Sequence, residues 1–286
     1  MIHEIAPHFL DNQYHGGRTP AGDSPIILFF PPQLLVKDTE ELTFLTYDEI
    51  KEHLAGPCRY LFNIDGTNYF LGTPAEGCVT GEKDDRICTI AGARLMNWVD
   101  LRRANPRYEA FAGMTAMHLN TWYSSVRYCG RCGTKASHDD TLRMMKCPKC
   151  GLMMFPKINP AVVVAVTDGE RLLLTRYARR NGNFALIAGF IEIGETAEEC
   201  CAREVMEEVG IHIKNIRYVG SQPWGFDGNL MLAYTAELDD SHKITLDEDE
   251  LSEARWMLPE EVPVVTEDSS LTRDIINRFR NGELFS

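Results

Sequence analysis

Two pairs of cysteines constrain this chain more than any other feature. Cys129-Gly-Arg-Cys132-Gly and Cys147-Pro-Lys-Cys150-Gly are CxxC turns with fourteen residues between them. A CxxC turn lets two thiolates converge on one tetrahedral ion, and the glycine behind it permits the tight backbone that follows. Two such turns supply four sulfurs, so the pattern points to structural zinc over a redox pair, which normally occurs singly beside a βαβ unit. Four thiolates leave no open position for water, and a catalytic role for this zinc is not expected. The chain has nine cysteines, an odd number, and its N-terminus lacks the basic-then-apolar layout of a signal peptide. Cys58, Cys78, Cys88, Cys200 and Cys201 are therefore expected to be reduced and to pack as small hydrophobes.

The four-cysteine segment also divides the chain. We expect an N-terminal mixed α/β domain over 1–125, a zinc ribbon over 126–156 and a further domain over 157–286. With 286 residues, 44% of them hydrophobic, the sequence can build more than one real core. Upstream of the ribbon, strand-like runs cover Ile26–Phe30 and Tyr60–Ile64, the latter paired with Thr67–Leu71 across Asp65-Gly66, and a helix is expected from Tyr108 to Ser125. Downstream come strands at Val162–Thr167, Arg171–Arg176 and Phe184–Ile187, then a helix, then further strands, a mixture that reads as α+β or α/β, of which α+β is the expected class. The longest unbroken apolar run, Ala161–Val166, is six residues against the ~20 that span a bilayer. The expectation is a soluble cytoplasmic protein with no membrane partner.

The chemistry is carried by the stretch from Gly189 to Ile211. Thr196 followed by Glu199 is a capping box that starts a helix, and Gly210 is a good terminator. Ala197, Cys201, Val205 and Val209 recur at helical spacing and form the expected buried stripe. Glu204, Glu207 and Glu208 then project from one side of the helix. Three like charges gathered together cost free energy unless a cation sits among them, and hard divalent ions such as Mg²⁺ or Mn²⁺ take oxygen ligands and bridge to phosphates. Arg203, four residues before Glu207, is placed to orient the carboxylates by hydrogen bonding. A solvated acidic helix face is the commoner meaning of such a charge run. Here, however, Gly189, Glu195, Arg203, Glu204, Val205, Glu207, Glu208, Gly210 and Ile211 fit G-x5-E-x7-R-E-U-x-E-E-x-G-U at every constrained place, with U aliphatic.

The stretch therefore resembles the Nudix box, the signature of hydrolases that split a nucleoside diphosphate linked to another group. The resemblance implies a loop-helix-loop within an α/β/α sandwich. It also implies that Glu204 and Glu208 bind catalytic divalent ions, that Glu207 is a further ligand or positions water, and that Glu195 supports the loop.

Beyond the box, Ser221-Gln-Pro-Trp-Gly-Phe-Asp-Gly-Asn229 is similar to the SQPWPFPxS motif of the NADH pyrophosphatase branch. Ser221, Gln222, Pro223, Trp224 and Phe226 match; Gly225 and Asp227 stand where that motif has prolines, and Asn229 replaces the final serine. Glycine in place of proline is expected to loosen the loop. An N-terminal Nudix-like domain lacking the box, a four-cysteine ribbon and a catalytic domain, in that order, are also the layout of that branch. By the same resemblance Phe190 stacks on nicotinamide, and Phe155 stands where a tyrosine often holds substrate. Gln222 to Asn229, Gly228 included, and Thr272 contact substrate, Glu250 is an extra metal ligand, and the Ala188 carbonyl completes the metal shell. The implied reaction converts NADH or NAD⁺ and water to nicotinamide mononucleotide and AMP. Removal of an NAD cap from RNA 5′ ends uses the same bond, and homodimers are common in the branch.

Two other readings remain. One is a Nudix hydrolase acting on ADP-ribose or a dinucleoside polyphosphate, which the altered loop allows. The other is a non-catalytic nucleotide- or RNA-binding zinc protein, in which Arg131, Lys135, Arg143, Lys146 and Lys149 form a modest basic surface. The intact box glutamates speak against the second. The net charge of −13 argues against a general nucleic-acid coat, since such affinity comes from clustered Lys and Arg. Its location is informative: Glu192–Glu208 holds seven glutamates and one arginine, and Glu237–Glu253 holds eight acids and one lysine. Those two segments equal the whole imbalance, and both include residues proposed to hold cations.

Overall fold

The apolar run at Ala161–Val166 becomes the centre of a sheet rather than a surface strand. β1 (Asn159–Thr167) lies between β2 (Leu172–Tyr177) on one side and β5 (Asn229–Leu238) on the other. β3 (Ile187–Phe190) pairs antiparallel with β1, placing Ala188 opposite Val163 and Gly189 opposite Val162. β4 (Ile213–Trp224) and β6 (Leu251–Met257) complete a six-stranded sheet, in which β1 and β5 run parallel and the remaining pairs antiparallel.

Alternation along β1 sends its side chains to two cores. Val162, Val164 and Val166 pack with Cys200, Cys201, Val205 and Val209 of α1 (Ala197–Val209); Val163 and Ala165 pack with Leu271, Ile275, Ile276 and Phe279 of α2 (Leu271–Arg280). Each fully buried Val or Leu contributes roughly 1.5–3 kcal/mol. A strand buried on both faces reads as a continuous apolar run, and the result is an α/β/α sandwich.

The computed structural model describes residues 1–81, 86–178, 184–239, 241–264, 266 and 269–284. Asp240, in the second acidic segment, lies outside them. The chain divides into two compact units: Met1, Ile158–Trp224 and Gly228–Ser286, which hold the sandwich, and Ile2–Lys157 with Gly225–Asp227. The second unit contains a five-stranded sheet, with the expected hairpin at Arg59–Ile64 and Thr67–Leu71. Its turn places Asp65 and Gly66 at φ 49° and 90°. The unit also has a three-stranded sheet, a helix at Arg107–Ser125 and the small ribbon sheet. Among the described residues no helix is long and apolar enough to cross a membrane.

Two strand expectations need correction. Ile26–Phe30 is not one strand but two, Pro25–Ile27 and Phe29–Phe30, which join different sheets. The strand expected at Phe184–Ile187 instead spans Ile187–Phe190, and Ala185 makes only an isolated bridge to Thr175. Gly189 lies within this strand, and a Cβ there would overlap the Glu204 carboxylate. Glycine serves close approach at this position, not a bend.

Candidate functional site

The zinc module is built by two matching turns. Cys129 N–H donates to the Thr134 carbonyl at 2.8 Å and Gly133 N–H to the Cys129 carbonyl at 2.9 Å; the second turn repeats this with Cys147 to Leu152 at 2.9 Å and Gly151 to Cys147 at 3.0 Å. Gly133 and Gly151 take φ of 69° and 73°, which side chains resist. The turns bring Cys129 Sγ within 3.5 Å of Cys150 Sγ, and Cys132 Sγ within 3.5 Å of Cys147 Sγ. All four sulfurs lie within 4.8 Å of one another. Tetrahedral bonds of ~2.3 Å put sulfurs about 3.8 Å apart, so the set fits zinc. Hydrogen bonds from Thr134 draw the Cys132 thiol down to about 6, toward the thiolate that binds metal.

The carboxylates of the catalytic unit are organised around Arg203. The capping box forms as expected, with Thr196 N–H donating to Glu199 at 2.8 Å and Glu199 N–H to Thr196 Oγ1 at 3.2 Å. Gly210 ends the helix at φ 68°. One guanidinium then serves five partners, Cys200 Sγ at 3.4 Å among them. Nε and Nη2 donate to the two Glu195 oxygens at 2.7 and 2.9 Å, Nη1 donates to Glu204 at 2.7 Å and Glu207 at 2.9 Å, and Nη2 reaches the Phe190 carbonyl at 3.0 Å. Glu195 also accepts the Glu192 N–H at 3.0 Å, so the loop between β3 and α1 is closed on itself. Those bonds, the Arg203 pair first, hold the Glu195 carboxyl down to about 2.

Glu208 is different. It is 3% exposed, and its Oε2 is buried with no hydrogen-bond partner. Burial, then the charges of Glu204 and Glu250, push its carboxyl up to about 8 against a partly compensating bond from the Ala188 N–H; Asp247 adds to the rise. Glu204 is also raised, chiefly by burial. The chain brings Glu250 into this field by pairing the segment before β6 with the end of α1: Asp247 N–H donates to the Glu208 carbonyl at 3.0 Å, and Thr245 N–H to Val209 at 2.9 Å. An orphaned carboxylate oxygen among like charges is the arrangement that a hard cation would relieve. Among the described residues, however, no three carboxylates meet the 4.8 Å convergence that the cysteines show.

The remaining expected residues separate. Phe190 is 54% exposed beside the loop, Pro223 is exposed, and Trp224 and Thr272 are half-buried. Gly228 and Asn229 close the β4–β5 turn, where Asn159 Nδ2 donates to Asn229 Oδ1 at 3.3 Å. Phe155, also 54% exposed, belongs to the other unit, as do Gly225, Phe226 and Asp227. Gly225 does not loosen that loop: a Cβ would fall 2.7 Å from the Met114 carbonyl oxygen, so glycine is the residue that fits. Gln222, expected to touch substrate, is 1% exposed. Its Nε2 donates to the Ser269 carbonyl at 2.8 Å, and its Oε1 accepts the Leu271 N–H at 2.7 Å. It thus satisfies an orphan donor at the start of α2 and fixes the turn that carries Thr272. Sequence reasoning missed that role, and it missed Asp247, whose only signal was membership of the second acidic segment.

The NUDIX domain model matches residues 157–279, and the NADH pyrophosphatase zinc ribbon domain model matches residues 124–155. The chain belongs to the Nudix hydrolase family, in a form that carries the zinc ribbon of the NADH pyrophosphatases. Among curated relatives, the NAD-capped RNA hydrolase NudC of Pseudomonas aeruginosa is 37% identical over 188 residues, covering 64% of this chain and 67% of that protein. The protein of the same name from Vibrio parahaemolyticus is 43% identical over 155 residues, covering 54% and 59%. A crystal structure of a NUDIX hydrolase from Nitrosomonas europaea aligns with a TM-score of 0.48 at 23% identity, over 56% of this chain and 93% of that one.

Proposed function

We propose that the protein hydrolyses the diphosphate bond of NADH or NAD⁺, giving nicotinamide mononucleotide and AMP, and removes the same group from NAD-capped RNA. The observation that carries this reading is the buried, unpartnered Glu208 oxygen set among Glu204, Glu250 and Asp247, within a complete Nudix box. The names of the relatives, NAD-capped RNA hydrolases, support the choice of substrate.

In this reading Glu204, Glu208 and Glu250, with Glu207 assisting and the Ala188 carbonyl, would hold Mg²⁺ or Mn²⁺. Such ions lower the pKa of a bound water and neutralise charge on the phosphoryl group. The protein's own residues supply position. Arg203 holds Glu204 and Glu207 in fixed rotamers and ties them to Glu195, so the acidic side of α1 keeps its geometry when charge on the substrate arrives. Gly189 lets β3 pass close enough for the Glu204 carboxylate to sit against its backbone. Phe190, anchored through its carbonyl to Arg203, presents its exposed ring for stacking on a base. Gln222 holds the start of α2, and with it Thr272, in place.

Zinc in the ribbon has a structural role. Homodimer assembly, which rests on the resemblance, belongs to the same proposal, as do a cytoplasmic location and the division at 125/126 and 156/157, which rest on the N-terminal sequence and on the four-cysteine segment. The test is a panel of kcat/KM values for NADH, NAD⁺, ADP-ribose and a dinucleoside polyphosphate. The proposal expects NADH or NAD⁺ to lead; a tenfold preference for ADP-ribose would replace the substrate while keeping the centre.

A further inference from the structure

The sequence groups Arg143 with a basic surface of the zinc module, but the structure tucks it inside the unit formed by residues 2–157. Its guanidinium lies over the Tyr14 ring at 5.0 Å. Nη2 donates to the Leu61 carbonyl at 2.6 Å and to the Asn12 carbonyl at 3.3 Å, while Nη1 is buried with no partner. The groups whose charge acts on this guanidinium are the phenols of Tyr123, Tyr14 and Tyr60; no carboxylate is among them. Two of those phenols, on Tyr60 and Tyr123, are also buried; the Tyr60 hydroxyl has no partner, and the Tyr123 hydroxyl has only Tyr14 beside it. Tyr14 is already engaged, donating to the Asp139 carbonyl at 3.3 Å.

Two further arginines stand on the same rings. Arg18 lies over Tyr60 at 5.4 Å and donates to Asn68 Oδ1 at 2.7 Å; Arg59 lies over Tyr123 at 5.6 Å. Among the described residues none of the three guanidinium groups has a carboxylate within 4.0 Å. The acids felt at the edge of the cluster are Asp11, which acts on Tyr60, and Asp140, which acts on His138.

This is a local reversal in a chain of net charge −13. A buried cation without a counter-charge costs several kcal/mol, and a cation–π contact returns roughly 0.5–2. A guanidinium only donates, and a phenol readily donates, so Arg143 Nη1 and Tyr60 OH together call for an acceptor, with the Tyr123 hydroxyl beside them able to turn from Tyr14 toward it. Water could take some of these bonds but would leave the enclosed Arg143 guanidinium without a counter-charge. A tetrahedral oxyanion supplies both the charge and enough oxygens for donors arriving from different elements. Arg18 is exposed, so the outer side of Tyr60 is covered by a flexible side chain rather than by backbone.

We propose that Arg18, Arg59 and Arg143 with Tyr60 and Tyr123 form a second anion site, built within residues 2–157, that takes a phosphate group either free or carried on a nucleotide. The test is calorimetric titration of the zinc-loaded full chain, without added divalent cations, using inorganic phosphate and AMP as probes. Wild type and Glu208→Gln should bind alike, with one saturable site. Tyr60→Phe/Tyr123→Phe, which keeps both rings, and Arg143→Met should each raise Kd at least about tenfold, the effect of ~1.4 kcal/mol. Should either of these fail to fold, Arg18→Ala at the exposed edge should raise Kd several-fold. AMP binding tighter than phosphate assigns the group to a nucleotide; equal binding assigns it to the free anion. Three results would overturn the site: no saturation by either probe up to about 10 mM, a Kd unchanged in the folded variants, or binding lost in Glu208→Gln.

Discussion

In the ribbon four sulfurs already lie within 4.8 Å of one another, whereas the glutamates of the sandwich unit stay apart, three of them turned to Arg203 and a fourth, Glu208, left with one buried oxygen that has no partner. Both regions are built to gather negative ligands on short segments, and they do it under different constraints. A thiolate shell that is complete needs nothing from outside but the ion, so local turns can preform it. A catalytic carboxylate shell must leave room for water and a phosphate oxygen. On the proposed reading its like charges, partly neutralised by Arg203, would be completed when cation and substrate arrive together.

The largest effect should come from opening the closed shell. Cys147→Ser is expected to reduce bound zinc from about one ion per chain to near zero, with a stability loss of several kcal/mol, on the order of 10 °C in Tm. Metal analysis and calorimetry check this. Dialysis should separate the two sites in the same way, removing Mg²⁺ or Mn²⁺ while zinc remains.

Removing charge from the open shell should act on rate, not on fold. Glu208→Gln is expected to lower kcat on the order of 10³-fold, the scale of losing a group that stabilises the transition state. Its stability signature has the opposite sign to an ordinary carboxylate. Because the folded carboxyl is raised from 4.5 to about 8, the folded state binds the proton more tightly than the unfolded chain. Stability without divalent cations should therefore fall as pH rises from about 4.5 to about 8, and Glu208→Gln or added Mn²⁺ should flatten that fall. Thermal melts across this range, in both proteins, give the comparison. A smaller loss, between about 10- and 100-fold in kcat/KM, is expected for Arg203→Lys, since one ammonium cannot reproduce the fork that spans Glu195, Glu204 and Glu207. The smallest effect is Gly225→Pro, which restores the family motif but places a Cβ against the Met114 carbonyl; a loss of about 1–3 kcal/mol in a denaturant melt is expected.

The same contrast explains what the sequence made legible. CxxC-G turns and the capped helix from Thr196 to Gly210 are set by local rules, so their residues could be read directly, including the buried stripe at Cys201, Val205 and Val209. The run at Ala161–Val166 gave a strand but not its two-sided burial, because periodicity cannot distinguish a central strand from a short buried helix. The approach of Gly189 to Glu204, the capping of α2 by Gln222 and the fit of Gly225 against Met114 depend on residues distant in the chain. No local pattern encodes them. Glu250 was reached through resemblance alone, and its placement depends on backbone pairing of Asp247 with Glu208 that a charge run does not reveal.

The proposed reaction is cleavage of a dinucleotide at its diphosphate, with the glutamates around Glu208 holding the divalent ions. Incubating the protein with NADH and Mn²⁺ and separating the products by chromatography gives the decisive readout. AMP and reduced nicotinamide mononucleotide are expected in equal amounts, at a rate about 10³-fold lower in Glu208→Gln. Absence of AMP, or an unchanged rate in that variant, would contradict it.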